Sequence, residues 1–205
     1  MTDLVHQIRA ALREVADPAK AAGMQAYMKS EMPFLGVQRT PLTRALRPLR
    51  TQGTLDDALV LWDEAEYREE RYAALAVLRA RRQVVPEEVL RHLVVTGAWW
   101  DLVDEIATKL LDPDDVDVRV WAQADDMWMR RASIICQVGR KADTDPVLLA
   151  DVMEPNLGDR RFWITKAIGW ALRDFAYIDG PWVREFVTTH ELAPLSQREV
   201  LKHLG

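Results

Sequence analysis

Apolar residues recur at three- and four-residue spacing along most of the chain, as in Leu4, Ile8, Ala11 and Leu12, then Leu55, Leu59, Leu61 and Trp62, then Val147, Leu148 and Val152. Residues so spaced share one face of a helix. Alternation at strand period is nearly absent, so the pattern predicts an all-α chain. Start signals divide it into about a dozen helices. Asp17-Pro18, Thr40-Pro41, Asp112-Pro113 and Asp145-Pro146 each set a capping side chain before a proline suited to the first helical position. Thr54 with Asp57 and Ser196 with Glu199 read as capping boxes. Gly53, Gly97, Gly139, Gly158 and Gly180 stand where helices should stop. Connections are short, which predicts antiparallel packing of successive helices. No linker or low-complexity stretch interrupts residues 1–205, which read as a single domain.

Stacking the apolar helices reveals a weak repeat: REERYAALAVL from Arg68, WWDLVDEIATKLL from Trp99, WMRRASIICQV from Trp128 and FWITKAIGWAL from Phe162. Aligning Ala73, Asp104, Ala132 and Ala167 gives spacings of 31, 28 and 35 residues. These suit one helical hairpin per unit, the range of helical solenoids. Four residues before the aligned positions stand Glu69, Trp100, Trp128 and Trp163. An aromatic at one register in three units is a natural stacking contact between hairpins. Asp104 breaks the alanine series, and a packed helix interface does not tolerate an unpaired carboxylate. Either this face of the second hairpin meets solvent or Asp104 lines a functional surface.

Composition narrows the class. Over 205 residues the chain is 49% hydrophobic and 29% charged, with 9 Gly and 10 Pro, which excludes collagenous and disordered chains. Its single Cys136 excludes an internal disulfide and suits a reducing compartment, so the cytoplasm is expected. The N-terminal stretch MTDLVHQIRAALREVADPAK lacks the apolar core of a signal peptide and reads as the first helix. The longest charge-free stretch, His92 to Trp100, has nine residues, short of a membrane span. Net charge is −5, yet Arg39 to Arg50 and Arg130 to Lys141 each carry four cations and no acid. Asp101 to Asp126, by contrast, holds nine acids against two bases. Arginine outnumbers lysine 21 to 6, which favours bidentate phosphate contacts or simply reflects a GC-rich genome.

Few residues suggest chemistry. Trp100 and Asp104, four apart, share a helical face and could hold a cationic ligand between indole and carboxylate. Alternatively Asp104 only favours the N-terminus of its helix. Arg131 falls on the same side of the next unit, where surface ion pairing is the plain alternative. Trp170 and Arg173, three apart, face the same way, and Gly169 suggests close approach of another backbone or a crowded helix crossing. His6, His92, His190 and His203 show no paired ligand spacing, so no metal is expected. The acidic run LDPDDVDV lacks the glycine and glutamate of a calcium loop. Cys136, in an apolar run, reads as a buried small hydrophobe. No phosphate-cradling glycine loop and no GxSxG exists, which disfavours nucleotide hydrolysis and serine-hydrolase chemistry.

Taken in order, AYMKSEMPFLGVQRTPLTR, TGAWWDLVDEIA, MWMRRASIICQV, ITKAIGWALRDFA and ELAPLSQREVLKH resemble the AlkD family of alkylpurine DNA glycosylases. The likeness runs from about residue 3 to 204. The resemblance implies a right-handed solenoid of antiparallel HEAT-like helical hairpins with a C-shaped concave cleft that grips duplex DNA by its backbone. It further implies excision of cationic purines such as 3-methyladenine and 7-methylguanine, without a metal or organic cofactor, by a monomer that is nucleoid-associated when bound to DNA. Residue by residue, Asp104 matches the catalytic carboxylate, Trp100 and Trp170 the indoles at the lesioned nucleotide, and Arg131 the basic residue of the cleft. Tyr27 matches the aromatic at the cleft's N-terminal side, and Gln38 and Arg173 match further DNA-contacting positions. Because the net charge is acidic, binding is expected to rest on local arginine patches and to be salt-sensitive. A non-catalytic HEAT-like DNA-structure binder and a protein-binding helical scaffold are the rival readings.

Overall fold

Thirteen α-helices, two single 3-10 turns and no strand make up the described residues of the computed structural model, 2–81 and 83–202. The all-α class expected from the helical periodicity is therefore observed. His203 lies outside the described residues. Contacts divide the chain into two compact units, Met1–Val84 and Val85–Gly205.

The first unit holds α1 (Asp3–Glu14), α2 (Pro18–Met28), α3 (Arg39–Leu46), α4 (Leu55–Asp63) and α5 (Arg68–Arg81). Helix α1 buries Val5, Ile8 and Leu12, and it packs on α3, α4 and α5, whose buried side chains include Leu46, Leu61, Trp62, Ala73 and Val77. One buried ion pair crosses this core: Arg9 Nε donates to Glu70 at 2.8 Å. Glu69, fully buried, accepts from the backbone amides of Leu35, Gly36 and Val37 at 2.9 to 3.0 Å. The turn it organises requires glycine at 36. There φ is +83°, and a Cβ would stand 2.0 Å from the Asp17 carbonyl oxygen.

The second unit holds α6 (Glu87–Gly97), α7 (Trp100–Lys109), α8 (Val118–Trp121), α9 (Met127–Ile135), α10 (Pro146–Met153), α11 (Phe162–Ala176), α12 (Gly180–Thr189) and α13 (Pro194–Leu201). At its centre lies α9, which packs against α6, α7, α8, α10 and α11 and buries seven of its nine residues. A helix buried on nearly every side, here with Arg131 and Ser133 among its buried residues, belongs in the middle of a bundle. Cys136, directly after it, is buried among these helices, and desolvation pushes its thiol up to about 12, as befits a packing residue.

Several start and stop signals behave differently from the sequence expectation. Thr54 and Asp57 do form a reciprocal capping box, and Asp145 caps α10 through the amides of Val147 and Leu148. Asp17 precedes α2 as expected but gives its side chain to Lys20 instead of the helix amides. Thr40 and Pro41 lie inside the first turn of α3, whose cap is Gln38. Asp112-Pro113 opens only a turn, and α8 starts five residues later under Asp117. Ser196 and Glu199 form no capping box. The cap of α13 is Ala193, Ser196 donates to the Thr165 carbonyl of α11 at 2.8 Å, and Glu199 is taken by three cations. Gly180 begins α12 beneath its cap Asp179 instead of ending a helix. Tertiary partners take Ser196 and Glu199, neighbouring acids cap α8 and α12, and the nearby Lys20 takes Asp17.

Candidate functional site

The second unit gathers the candidate chemistry around one arginine. Arg131 on α9 is buried, and its guanidinium faces both flanking helices. Nε and one terminal nitrogen donate to the two carboxylate oxygens of Asp104 on α7, each at 2.8 Å. The other terminal nitrogen donates to the Trp163 carbonyl at the start of α11, at 2.7 Å. The guanidinium carbon also lies 5.5 Å from the centre of the Trp163 ring. Arg131 thus fixes three helices and holds one carboxylate in a planar, bidentate grip. The surface ion pair considered from sequence is instead a buried one.

Asp104 keeps a sixth of its side chain, 16%, open to solvent while its partner keeps 3%. It is the fifth residue of α7, past the first turn, where Asp101 is the helix-favouring acid. The reading of Asp104 as an N-terminal dipole residue is therefore corrected. Burial pushes its carboxyl above the ordinary carboxylate range, the two Arg131 hydrogen bonds oppose that rise, and the nearby Asp101 charge adds to it. The result is an anion with little water around it, held in one orientation. Such a group acts strongly on a positive charge brought close to its open edge.

An indole cluster stands beside this pair. The rings of Trp99, Trp128 and Trp163 form a triangle with centroid separations of 6.0, 5.7 and 5.6 Å, and Phe162 sets its ring edge-on to Trp163 at 4.8 Å. This corrects the repeat alignment. The tryptophan that joins Trp128 and Trp163 is Trp99, so the fully buried Val103, and not Asp104, corresponds to Ala132 and Ala167. Asp104 stands one residue past the buried register. That offset removes the supposed conflict between a carboxylate and a packed interface and turns Trp100 away from the cluster. Both Trp100 and Trp170 are half-buried, as a ring must be to meet a ligand and still be held.

Arg173 is drawn to a different partner. Its guanidinium pairs with Glu199 on α13, which also binds Lys166 at 2.8 Å and Lys202 at 2.7 Å. Lys166 foremost, with Lys202 and Arg173, holds the Glu199 carboxyl down to about 2. Sequence reasoning took Glu199 for a cap and missed this hub. The signal was the seven-residue spacing of Lys166 and Arg173 around Gly169 on one face of α11. Tyr27 and Gln38 belong to the first unit. Tyr27 is 79% exposed near the end of α2, and Gln38 is exposed as the cap of α3. Among the described residues no group of three or more His, Cys, Asp or Glu is placed to hold a metal ion, and no helix is long and apolar enough to cross a membrane.

The chain and its fold have relatives. The chain belongs to the DNA alkylation repair enzyme family, whose sequence model matches residues 8–204. Its fold is similar to that of a predicted DNA alkylation repair enzyme from Enterococcus faecalis, with a TM-score of 0.82 and 26% identity over 93% of this chain and 97% of that one. None of the curated proteins matches it. Membership assigns the chain to the repair of alkylated DNA and implies DNA as its partner.

Proposed function

We propose that the protein is a DNA glycosylase of the AlkD type. It would hydrolyse the N-glycosidic bond of cationic alkylated purines such as 3-methyladenine and 7-methylguanine in duplex DNA, with residues 1–205 acting as one monomeric repair domain in the cytoplasm, nucleoid-associated when bound to DNA. The observation that carries this reading is the part-open Asp104 carboxylate clamped by buried Arg131 beside half-buried indoles. Methylation at N3 or N7 makes the purine positive, so the base departs with the bonding electron pair as a neutral molecule and needs no proton from a general acid. Positive charge then develops on the sugar. A fixed anion at Asp104 stabilises that oxocarbenium-like state and orients the water that attacks C1′, whose proton leaves to solvent. Trp100 and Trp170 supply ring faces to the cationic nucleotide. Arg131 acts as the positioning residue that holds the carboxylate, while Tyr27, Gln38 and Arg173 contact the DNA. No cofactor enters this chemistry.

The direct experiment is release of free 7-methylguanine from methylated duplex. Accumulation of abasic sites with the purified protein supports the proposal. Tight duplex binding without base release favours a second reading, a non-catalytic DNA-structure binder. One feature favours that alternative: both Asp104 oxygens already accept from Arg131, as they would in a pair that only locks α7 to α9.

A further inference from the structure

Three helices meet at the Asp104–Arg131 pair, and each brings an indole from its N-terminal end. Trp99 is the cap of α7, Trp128 the second residue of α9 and Trp163 the second residue of α11. Asp104 lies on the first of these helices, and Arg131, about one turn past Trp128, lies on the second. Helix α9 packs on both α7 and α11, so the ring triangle and the ion pair bridge the same two helix contacts. Packing alone does not account for the triangle. Trp99 Nε1 is buried without a hydrogen-bond partner among the described residues, and an orphaned buried donor is destabilising.

Trp163 holds Arg131 in two ways. Its carbonyl accepts from one terminal nitrogen at 2.7 Å, and its ring centre lies 5.5 Å from the guanidinium carbon. With Nε and the other terminal nitrogen on Asp104, each of the three guanidinium nitrogens has a partner. The bidentate bond fixes arginine and carboxylate to each other, but by itself it lets the pair swing on the long arginine stem. A third bond from a different helix fixes the pair in space, and a ring beside a desolvated cation adds an attraction that resists displacement. The ring in turn is held by Trp99, Trp128 and Phe162, at 5.6, 5.7 and 4.8 Å between centroids. Electrostatic catalysis depends on a charge that does not reorient during the reaction.

We propose that Trp163 is a positioning residue for base release: its carbonyl and ring pin the Arg131 guanidinium, which holds the open edge of Asp104 toward the reacting sugar. The proposal rests on the glycosylase reading above for the reaction and on the geometry for the pinning. The charged groups acting on Asp104 are Arg131 from α9 and Asp101 on its own helix. Trp163 is neutral and reaches the carboxylate only through Arg131.

The test compares wild type with Trp163→Met, Trp163→Phe and, as a control in the core of the first unit, Leu12→Ala, with folding checked by thermal melting. Single-turnover release of 7-methylguanine from methylated duplex is followed against protein concentration and pH. Trp163→Met fills the space with a flexible chain that has no ring face. Its maximal rate should fall by up to about a hundredfold, the cost of misplacing a group by about 1 Å, with the half-saturating protein concentration unchanged. Its acid limb should move to higher pH, because a loosened Arg131 no longer opposes the burial of Asp104. Trp163→Phe restores a ring face and should recover most of the rate and the wild-type limb. Leu12→Ala loses stability far from this chemistry and should leave the limb in place. A wild-type rate and limb in Trp163→Met, or an equal shift in Leu12→Ala, overturns the proposal.

A second readout needs neither activity nor a folded Trp163 variant. In nitrogen-edited proton spectra of wild type, with the Arg131 signals identified by their loss in Arg131→Lys, the terminal guanidinium protons should be resolved at low temperature and show Overhauser contacts to the Trp163 ring. Averaged signals without those contacts overturn the pinning. Resolved, contacting signals in a wild type that releases no methylated base leave Arg131 pinned by Trp163 and overturn the glycosylase reading instead.

Discussion

Gly169 on α11 and Glu199 on α13 meet so closely that a Cβ on Gly169 would stand 2.6 Å from the Glu199 Cβ and 3.1 Å from the Ser196 carbonyl oxygen. Glycine there is a packing requirement set by the partner helix. Gly169→Ala should force α13 outward and cost about 1 to 3 kcal/mol. Gly23→Ala is the contrast: nothing lies within 4 Å of its Cβ position inside α2, so the change should stabilise the protein by up to about 1 kcal/mol. Urea midpoints of the two variants, moving in opposite directions, check this.

Glu199 gives the same contact a pH dependence. Lys166 foremost, with Lys202 and Arg173, lowers its carboxyl from 4.5 to about 2 in the folded protein. A depressed acid contributes stability above its unfolded value and loses it as pH falls through the folded one. Stability should therefore decline between about pH 4.5 and 2 partly through this residue. Glu199→Gln should flatten that segment of a stability profile recorded by chemical denaturation, and a profile parallel to wild type contradicts the hub.

These two residues also show what the sequence made legible. Helical periodicity identifies the all-α class, and Gly169 signals a close approach, because both depend on residues near in sequence. Glu199 was misread as a cap because its partners, Lys166 and Arg173, lie 26 or more residues away and no local pattern encodes them. The same limit shifted the repeat register by one. Periodicity places Trp99 and Trp100 equally well, and only the meeting with Trp128 and Trp163 decides that Trp99 joins the indole cluster. Asp104 was found through its neighbour Trp100 and the family resemblance, whereas its bidentate clamp by Arg131, 27 residues on, required the fold.

The tryptophans should separate into two groups. Trp128, inside the indole triangle and 8% exposed, is core, so Trp128→Ala should cost about 3 to 5 kcal/mol. Trp100→Ala and Trp170→Ala, at half-buried rings, should slow methylated-base release with a much smaller loss of stability. Denaturant unfolding and single-turnover release on the same samples test the division. A Trp100 or Trp170 variant as unstable as the Trp128 variant places that ring in the core.

Arg131 should reveal itself through pH. Its two hydrogen bonds hold the Asp104 carboxyl down against burial and the Asp101 charge. Arg131→Met leaves both of those opposing effects in place, so the acid limb of the release profile should move to higher pH. Breaking the buried pair should also cost about 3 kcal/mol. If activity falls at every pH with an unmoved limb, Arg131 does not set the charge of Asp104.

The central claim is that the Asp104 carboxylate stabilises positive charge on the sugar. Asp104→Asn preserves the shape but leaves the buried Arg131 without its counter-charge, so the variant should be less stable and must be assayed well below its melting temperature. The decisive measurement is single-turnover release of 7-methylguanine from duplex DNA by wild type and by folded Asp104→Asn, at protein concentrations that saturate binding. The account predicts a rate lower by about a hundred- to thousandfold, the scale of losing one electrostatic catalytic group. Equal rates in the two folded proteins would contradict it.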